Sequence, residues 1–147
     1  MNESSFTASL RRYAPEALVI RKFSDRFNAG VSDTLNRVVT GVGNERELWI
    51  EYKYLHALPK RDSTIVVPDL SQAQLDFFTE TRNANGFALC ALGFANDNVV
   101  LFPQEFEVSG LPVSVIKANA MTRKQWVGTI YDFCRSKIDL KDLVRLT

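Results

Sequence analysis

The chain of 147 residues has the length of one domain, and its 46% hydrophobic and 24% charged residues exclude a disordered, collagen-like or coiled-coil protein. Eighteen Lys plus Arg against 17 Asp plus Glu give a formal net charge of +1, so bulk charge announces no nucleic-acid partner. The longest apolar runs fall far short of the roughly 20 residues that span a bilayer, and the N-terminus lacks a basic region followed by an apolar stretch.

Phe6, Leu10 and Tyr13 lie at helical spacing, so a short opening helix is predicted over Ser5 to Tyr13, closed by Pro15. Ala17 to Phe23 reads as a strand, followed by a loop through Asn28-Ala29-Gly30. A second strand is expected from about Ser32 to Thr40. Gly41-Val42-Gly43-Asn44 carries hairpin-turn chemistry, and Glu47 to Leu55 supplies the returning, antiparallel strand. His56 to Val67 is a polar, basic connection, and Pro68-Asp69-Leu70-Ser71 leads into a helix that ends near Asn85-Gly86. Phe87 to Phe94 is a nearly continuous apolar strand of the kind buried on both faces of a sheet. A turn at Asn96-Asp97-Asn98, a short strand at Val99 to Phe102 and an amphipathic helix at Thr122 to Arg135 follow, the last with Trp126, Ile130 and Phe133 near one face. Asp139 to Leu146 adds a last helical turn or two. With no repeat or linker, residues 1–147 are expected to form a single α/β domain, a central mixed β-sheet flanked by helices.

Cys90 and Cys134 have no CxxC spacing and read as reduced core thiols, so a soluble, cytoplasmic protein is expected. His56 is the sole histidine, which excludes multi-histidine zinc sites and histidine triads. Gly41-Val42-Gly43 lacks the third glycine, the following helix and the lysine of a nucleotide loop. Basic residues gather at Arg11-Arg12, Arg21-Lys22 with Arg26, Lys60-Arg61 and Arg123-Lys124; each cluster also reads as an ordinary solvated surface.

In Leu48-Trp49-Ile50-Glu51-Tyr52-Lys53-Tyr54 the side chains alternate, so Glu51 and Lys53 share one face. Asp33 begins the strand that pairs with this one, and can bring a second carboxylate to the same patch. Two carboxylates at a strand edge, with the backbone carbonyl of Tyr52, make a hard oxygen site suited to Mg²⁺ or Mn²⁺. Such an ion lowers the pKa of bound water and neutralises charge on a phosphodiester, while Lys53 orients the attacking water or stabilises developing charge. The plainer alternative is a same-face ion pair between Glu51 and Lys53, with Asp33 capping a turn.

Glu3 on the opening helix, Ala29-Gly30-Val31-Ser32-Asp33, Trp49-Ile50-Glu51-Tyr52-Lys53 and Leu70-Ser71-Gln72-Ala73-Gln74 occur in the order of a known pattern. That pattern is a helix glutamate, G-x-P-D, E-x-K, then a helix opening L-[ST]-x-x-Q. Over roughly Glu3 to Phe94 the chain resembles the virus-type replication-repair nuclease branch of the PD-(D/E)xK superfamily, which also holds the archaeal Holliday-junction resolvases. Ser32 stands where the pattern usually has proline.

The resemblance implies a restriction-endonuclease-like core, with Asp33 and Glu51 on the metal, Lys53 as catalytic lysine, Gln74 at the edge of the site and Glu3 as an auxiliary acid. Gln74 has a local role as well, since Ser71-x-x-Gln74 is a capping box, and Glu3 suits a helix start without any other duty. The activity that the resemblance implies is Mg²⁺-dependent (or Mn²⁺-dependent) endonucleolytic cleavage of DNA, with branched DNA as one candidate substrate, in phage or mobile-element replication and repair, inside the host cytoplasm if the protein is viral. Cutting a branch needs two sites, hence a homodimer to which the apolar C-terminal helix with Trp126 contributes. The alternative function is a catalytically silent nuclease-fold module that binds DNA or a protein partner.

Overall fold

The computed structural model describes residues 1–23, 33–39, 41 and 43–147. The expected loop at Asn28-Ala29-Gly30, the Ser32 departure, Arg26, and Thr40 and Val42 of the hairpin lie outside the described residues.

Helix α1 (Glu3–Leu10) begins at a capping box in which the Asn2 side chain accepts from the Ser5 N–H and the Ser5 hydroxyl from the Asn2 N–H. It starts two residues before the predicted helix because Asn2 supplies the cap, and it tightens into a 3₁₀ turn over Arg11–Tyr13. Strands β1 (Leu18–Lys22), β2 (Thr34–Val38) and β3 (Leu48–Leu55) form an antiparallel meander, so the predicted hairpin pairing holds. Helix α2 (Gln72–Asn83) then crosses to β5 (Phe87–Phe94), which runs parallel to β3 in register Glu51↔Cys90 and Lys53↔Leu92. Strands β6 (Asn98–Phe102) and β8 (Met121–Thr122) add antiparallel at the far edge, giving a six-stranded mixed sheet in the order β1-β2-β3-β5-β6-β8.

Each face of the sheet buries its own core. On one side Phe6 and Leu10 of α1 and Trp126, Val127, Ile130 and Phe133 of α4 (Arg123–Cys134) pack on Ile50, Tyr52, Leu89 and Ala91. On the other, Phe78 of α2 and Ile116 of α3 (Val113–Asn119) pack on Ala88, Cys90, Leu92 and Phe94. Every β5 residue from Ala88 onward is buried, as the unbroken apolar run predicts.

The region read as a plain connection, His56 to Val67, contains β4 (Ile65–Val66), which pairs antiparallel with β7 (Leu111–Pro112) as a separate two-stranded ribbon. Two residues are too few to show a period, and the partner lies about 45 residues downstream. A four-residue helix α5 (Leu140–Leu143) closes the chain. Among the described residues no helix is long and apolar enough to cross a membrane.

Candidate metal centre

The alternation of β3 sends Ile50 and Tyr52 into the core beneath α1 and α4, and turns Trp49, Glu51 and Lys53 toward α2. Glu51 is only 2% exposed, so its carboxylate has left water and must be held by protein donors. Two such donors come from other elements. The Asp33 N–H donates to Glu51 Oε2 at 3.0 Å, and Gln74 Nε2 donates to Glu51 Oε1 at 2.5 Å.

Asp33 sits one residue before β2, where the ladder to β3 stops at Thr34↔Ile50. Its Oδ2 accepts from the Tyr52 N–H at 3.0 Å. The N–H and C=O of one strand residue leave on the same side, so the Tyr52 carbonyl also lies on the edge that faces Asp33, beyond the last rung of the ladder. Glu3 arrives from the opposite face of the sheet, on the first turn of α1. One oxygen from each of Glu3, Asp33 and Glu51 lies within 4.8 Å of the other two.

Three carboxylates this close repel one another. Burial, reinforced by the Asp33 charge, pushes the Glu51 carboxyl up from its ordinary 4.5 to about 8. Glu3 is also raised, first by burial and then by Asp33, and burial raises Asp33 against the lowering effects of the Tyr52 N–H and the Lys53 charge. The donor set consists of hard oxygens, which fits Mg²⁺ or Mn²⁺ better than a thiolate-seeking or imidazole-seeking metal. Cys90, the β5 partner of Glu51, offers no soft ligand, because burial pushes its thiol far up and keeps it protonated. A divalent cation is what would let all three acids ionise together.

Lys53 Nζ lies 3.9 Å from Glu51 Oε1 and donates to Gln74 Oε1 at 3.3 Å. Gln74 completes its capping box and also reaches Lys53 and Glu51. Its N–H donates to Ser71 Oγ at 3.1 Å and its Oε1 accepts from the Ser71 N–H at 2.9 Å, which completes the capping box. The same amide links Lys53 to Glu51. Beneath the site, Trp126 Nε1 donates to the buried Tyr52 hydroxyl at 2.9 Å, and so anchors the residue that separates Glu51 from Lys53.

One nearby cation was not singled out from sequence as part of the site. Lys22, the last residue of β1, lines a cleft of about 180 Å³ with Glu3, Ser4, Thr7 and Asp33, and its Nζ donates to Ser4 Oγ at 2.8 Å. The signal was present: Leu18, Ile20 and Lys22 share a strand face, so a lysine ends an otherwise apolar alternation. On the other flank of Glu3, a cleft of about 290 Å³ runs between Lys53, Tyr54 and Leu55 on one wall and Val66, Val67, Pro68 and Asp69 on the other. His56 stacks edge-on against Tyr54 at 5.5 Å.

No known protein-family profile matches the chain, and no curated protein matches it. Among solved structures it is similar to Hjc of Archaeoglobus fulgidus, a Holliday junction resolvase from an archaeal hyperthermophile, at a TM-score of 0.51 and 15% sequence identity. The match covers 87% of this chain and 97% of that one. At this identity the likeness concerns architecture alone, and on it the chain is a single α/β domain with the mixed, helix-flanked sheet of the resolvase and restriction-endonuclease-like fold.

Proposed function

We propose that this protein is a metal-dependent nuclease that hydrolyses phosphodiester bonds in DNA. The observation that carries the reading is the convergence of Glu3, Asp33 and Glu51 within 4.8 Å, with Lys53 at 3.9 Å from Glu51. The fold shared with a Holliday junction resolvase supports it, and favours branched DNA as substrate. So does the order of the Glu3, Asp33, Glu51-x-Lys53 and Gln74 motifs, which resembles the virus-type replication-repair branch and so favours a phage or mobile-element setting in a host cytoplasm.

In this reading Asp33, Glu51 and the Tyr52 carbonyl hold Mg²⁺ or Mn²⁺, with Glu3 as the third acid. Bound there, the ion would acidify a water and neutralise charge on the phosphate. Lys53, 3.9 Å from Glu51, stabilises the charge that develops on the attacked phosphate. Gln74 fixes the Lys53 ammonium and the Glu51 carboxylate relative to each other. Cutting both strands of a junction calls for two such sites, hence a homodimer.

The test is cleavage of labelled single-stranded, duplex, flap and four-way-junction DNA with Mg²⁺ or Mn²⁺, for the wild type and Lys53→Ala. Cleavage by the wild type, lost in the variant and fastest on the junction, is expected. Absence of cleavage on every substrate would replace the nuclease with a silent module of the same fold that binds DNA or a protein partner.

A further inference from the structure

The cleft of about 290 Å³ starts at Glu3 and Lys53, and its two walls are the end of β3 and the strap from Val66 to Asp69. Residues 56–64 join those walls, so this loop stands at the far end of the cleft. The volume suits a single nucleotide and is far too small for a duplex. A strand whose phosphate sits over the three carboxylates has this exit on the Lys53 side, and the loop that joins the two walls carries Lys60 and Arg61.

The loop is a built platform. Leu58 packs into the core under α2 and α3, the Val113 N–H donates to the Thr64 carbonyl at 2.9 Å, and the Ser114 N–H donates to the Asp62 carbonyl at 3.0 Å. The loop's own acid, Asp62, is engaged by Lys117 Nζ at 3.0 Å. Lys60 and Arg61 are both exposed, and among the described residues neither has an acidic partner. Two adjacent exposed cations on a loop tied down by these bonds, with the neighbouring Asp62 carboxylate already engaged by Lys117, offer two positive charges to a phosphate backbone.

Resting on the nuclease reading, we propose that Lys60 and Arg61 clamp the phosphates of the strand that leaves the metal centre through this cleft. They position DNA and take no part in bond breaking. The clamp makes the protein grip one strand on one side of the cut, which suits a branch point, where strands separate, better than continuous duplex.

The experiment measures binding of a labelled four-way junction by fluorescence anisotropy across a range of NaCl concentrations, in Mg²⁺ and in a Lys53→Ala background. Lys60→Ala/Arg61→Ala is compared with Lys137→Ala/Lys141→Ala, which removes the same charge from two exposed residues, one between α4 and α5 and one within α5. Each lost phosphate contact lowers the slope of log affinity against log salt by about 0.7 to 0.9, so the loop pair is expected to lower it by about 1.4 to 1.8. The control pair is expected to leave the slope within about 0.5 of the parent. An unchanged slope in the loop variant, with the parent still binding, overturns the clamp and leaves the nuclease reading standing. Equal falls in both variants overturn it too, because net charge alone explains them. A parent that binds no DNA at any salt concentration overturns both readings.

Discussion

Asp33, one residue before β2, holds Glu51 of β3: its N–H donates to Glu51 Oε2 at 3.0 Å, while the two carboxylates converge with Glu3 within 4.8 Å. The same residue therefore supplies Glu51 with a stabilising backbone donor and a destabilising charge. The Tyr52 N–H returns the arrangement by donating to Asp33 Oδ2 at 3.0 Å. These crossed bonds fix the carboxylates where the β2–β3 ladder ends, so repulsion between them cannot relax by moving apart and adds to burial, the larger cause, in raising the proton affinity of Glu51.

The pH dependence of stability follows from that burial and repulsion together. Folded protein keeps a proton on Glu51 up to about pH 8, whereas an ordinary glutamate releases it near 4.5. Between those values the folded state binds more protons than the unfolded chain, so without metal, stability falls as pH rises from about 5 to 8. Mg²⁺ binds the ionised set and must displace that proton at lower pH. Its stabilisation should therefore be larger at pH 8 than at pH 6, read as the shift in Tm on adding Mg²⁺ after chelator treatment. Equal shifts at the two pH values would mean that the ion does not bind at Glu51.

Asp33→Asn tests the charge alone. An asparagine carbonyl can still accept from the Tyr52 N–H, and its amide can turn toward the remaining acids. The variant should stabilise the metal-free protein at pH 8 by about 1 kcal/mol, close to one pKa unit of relieved repulsion, or roughly 2–4 °C in Tm. The gain should shrink at pH 5, where Glu51 already carries its proton, and Mg²⁺ should no longer raise Tm. A destabilised variant at pH 8 would show that Asp33 matters chiefly as a structural acceptor.

Gln74 and Ser71 separate capping from site chemistry. Ser71→Ala removes the acceptor for the Gln74 N–H and should cost about 1 kcal/mol of stability, the usual worth of a helix N-cap. Gln74→Ala loses the reciprocal half of the box and also the amide between Lys53 and Glu51. Both variants should melt lower by similar amounts. Only Gln74→Ala should lower the cleavage rate tenfold or more at saturating Mg²⁺, about 1.4 kcal/mol of barrier. Equal rates in the two variants would reduce Gln74 to a cap.

What the sequence made legible was local. The period of two in β3 put Glu51 and Lys53 on one face, the unbroken apolar run announced β5, and Ser71-x-x-Gln74 marked the start of α2. The convergence of Glu3 was weaker in the sequence, because it depends on how α1 crosses the sheet, which is a tertiary fact set by Phe6 and residues nearly 90 positions away. Lys22 stayed hidden among the basic clusters for the same reason, since only the pairing Lys22↔Thr34 brings it beside Asp33. The β4–β7 ribbon had no period to read, yet its Val66 begins the segment that lines one wall of the cleft at the metal centre.

Gly93 is where that tertiary control can be tested. It lies on the α1 face of β5, directly beneath the Phe6 ring, and a Cβ there would sit 2.5 Å from Phe6 Cε1 and Cζ. The new methyl has no other position to take, so Gly93→Ala displaces the buried Phe6 ring and is expected to carry the first turn of α1 away from the sheet with it. Overpacking of this kind costs about 1–3 kcal/mol, or a Tm lower by several degrees. Because Glu3 rides on that turn, the Tm rise given by Mg²⁺ should also shrink, an effect that lost packing alone does not produce. Phe6→Leu removes the ring atoms in question and should restore part of both losses in the double variant, a coupling measurable by a double-mutant cycle. If Gly93→Ala lowers Tm while the Mg²⁺ shift stays whole, α1 does not deliver Glu3 to the metal, and Asp33 and Glu51 hold the ion without it.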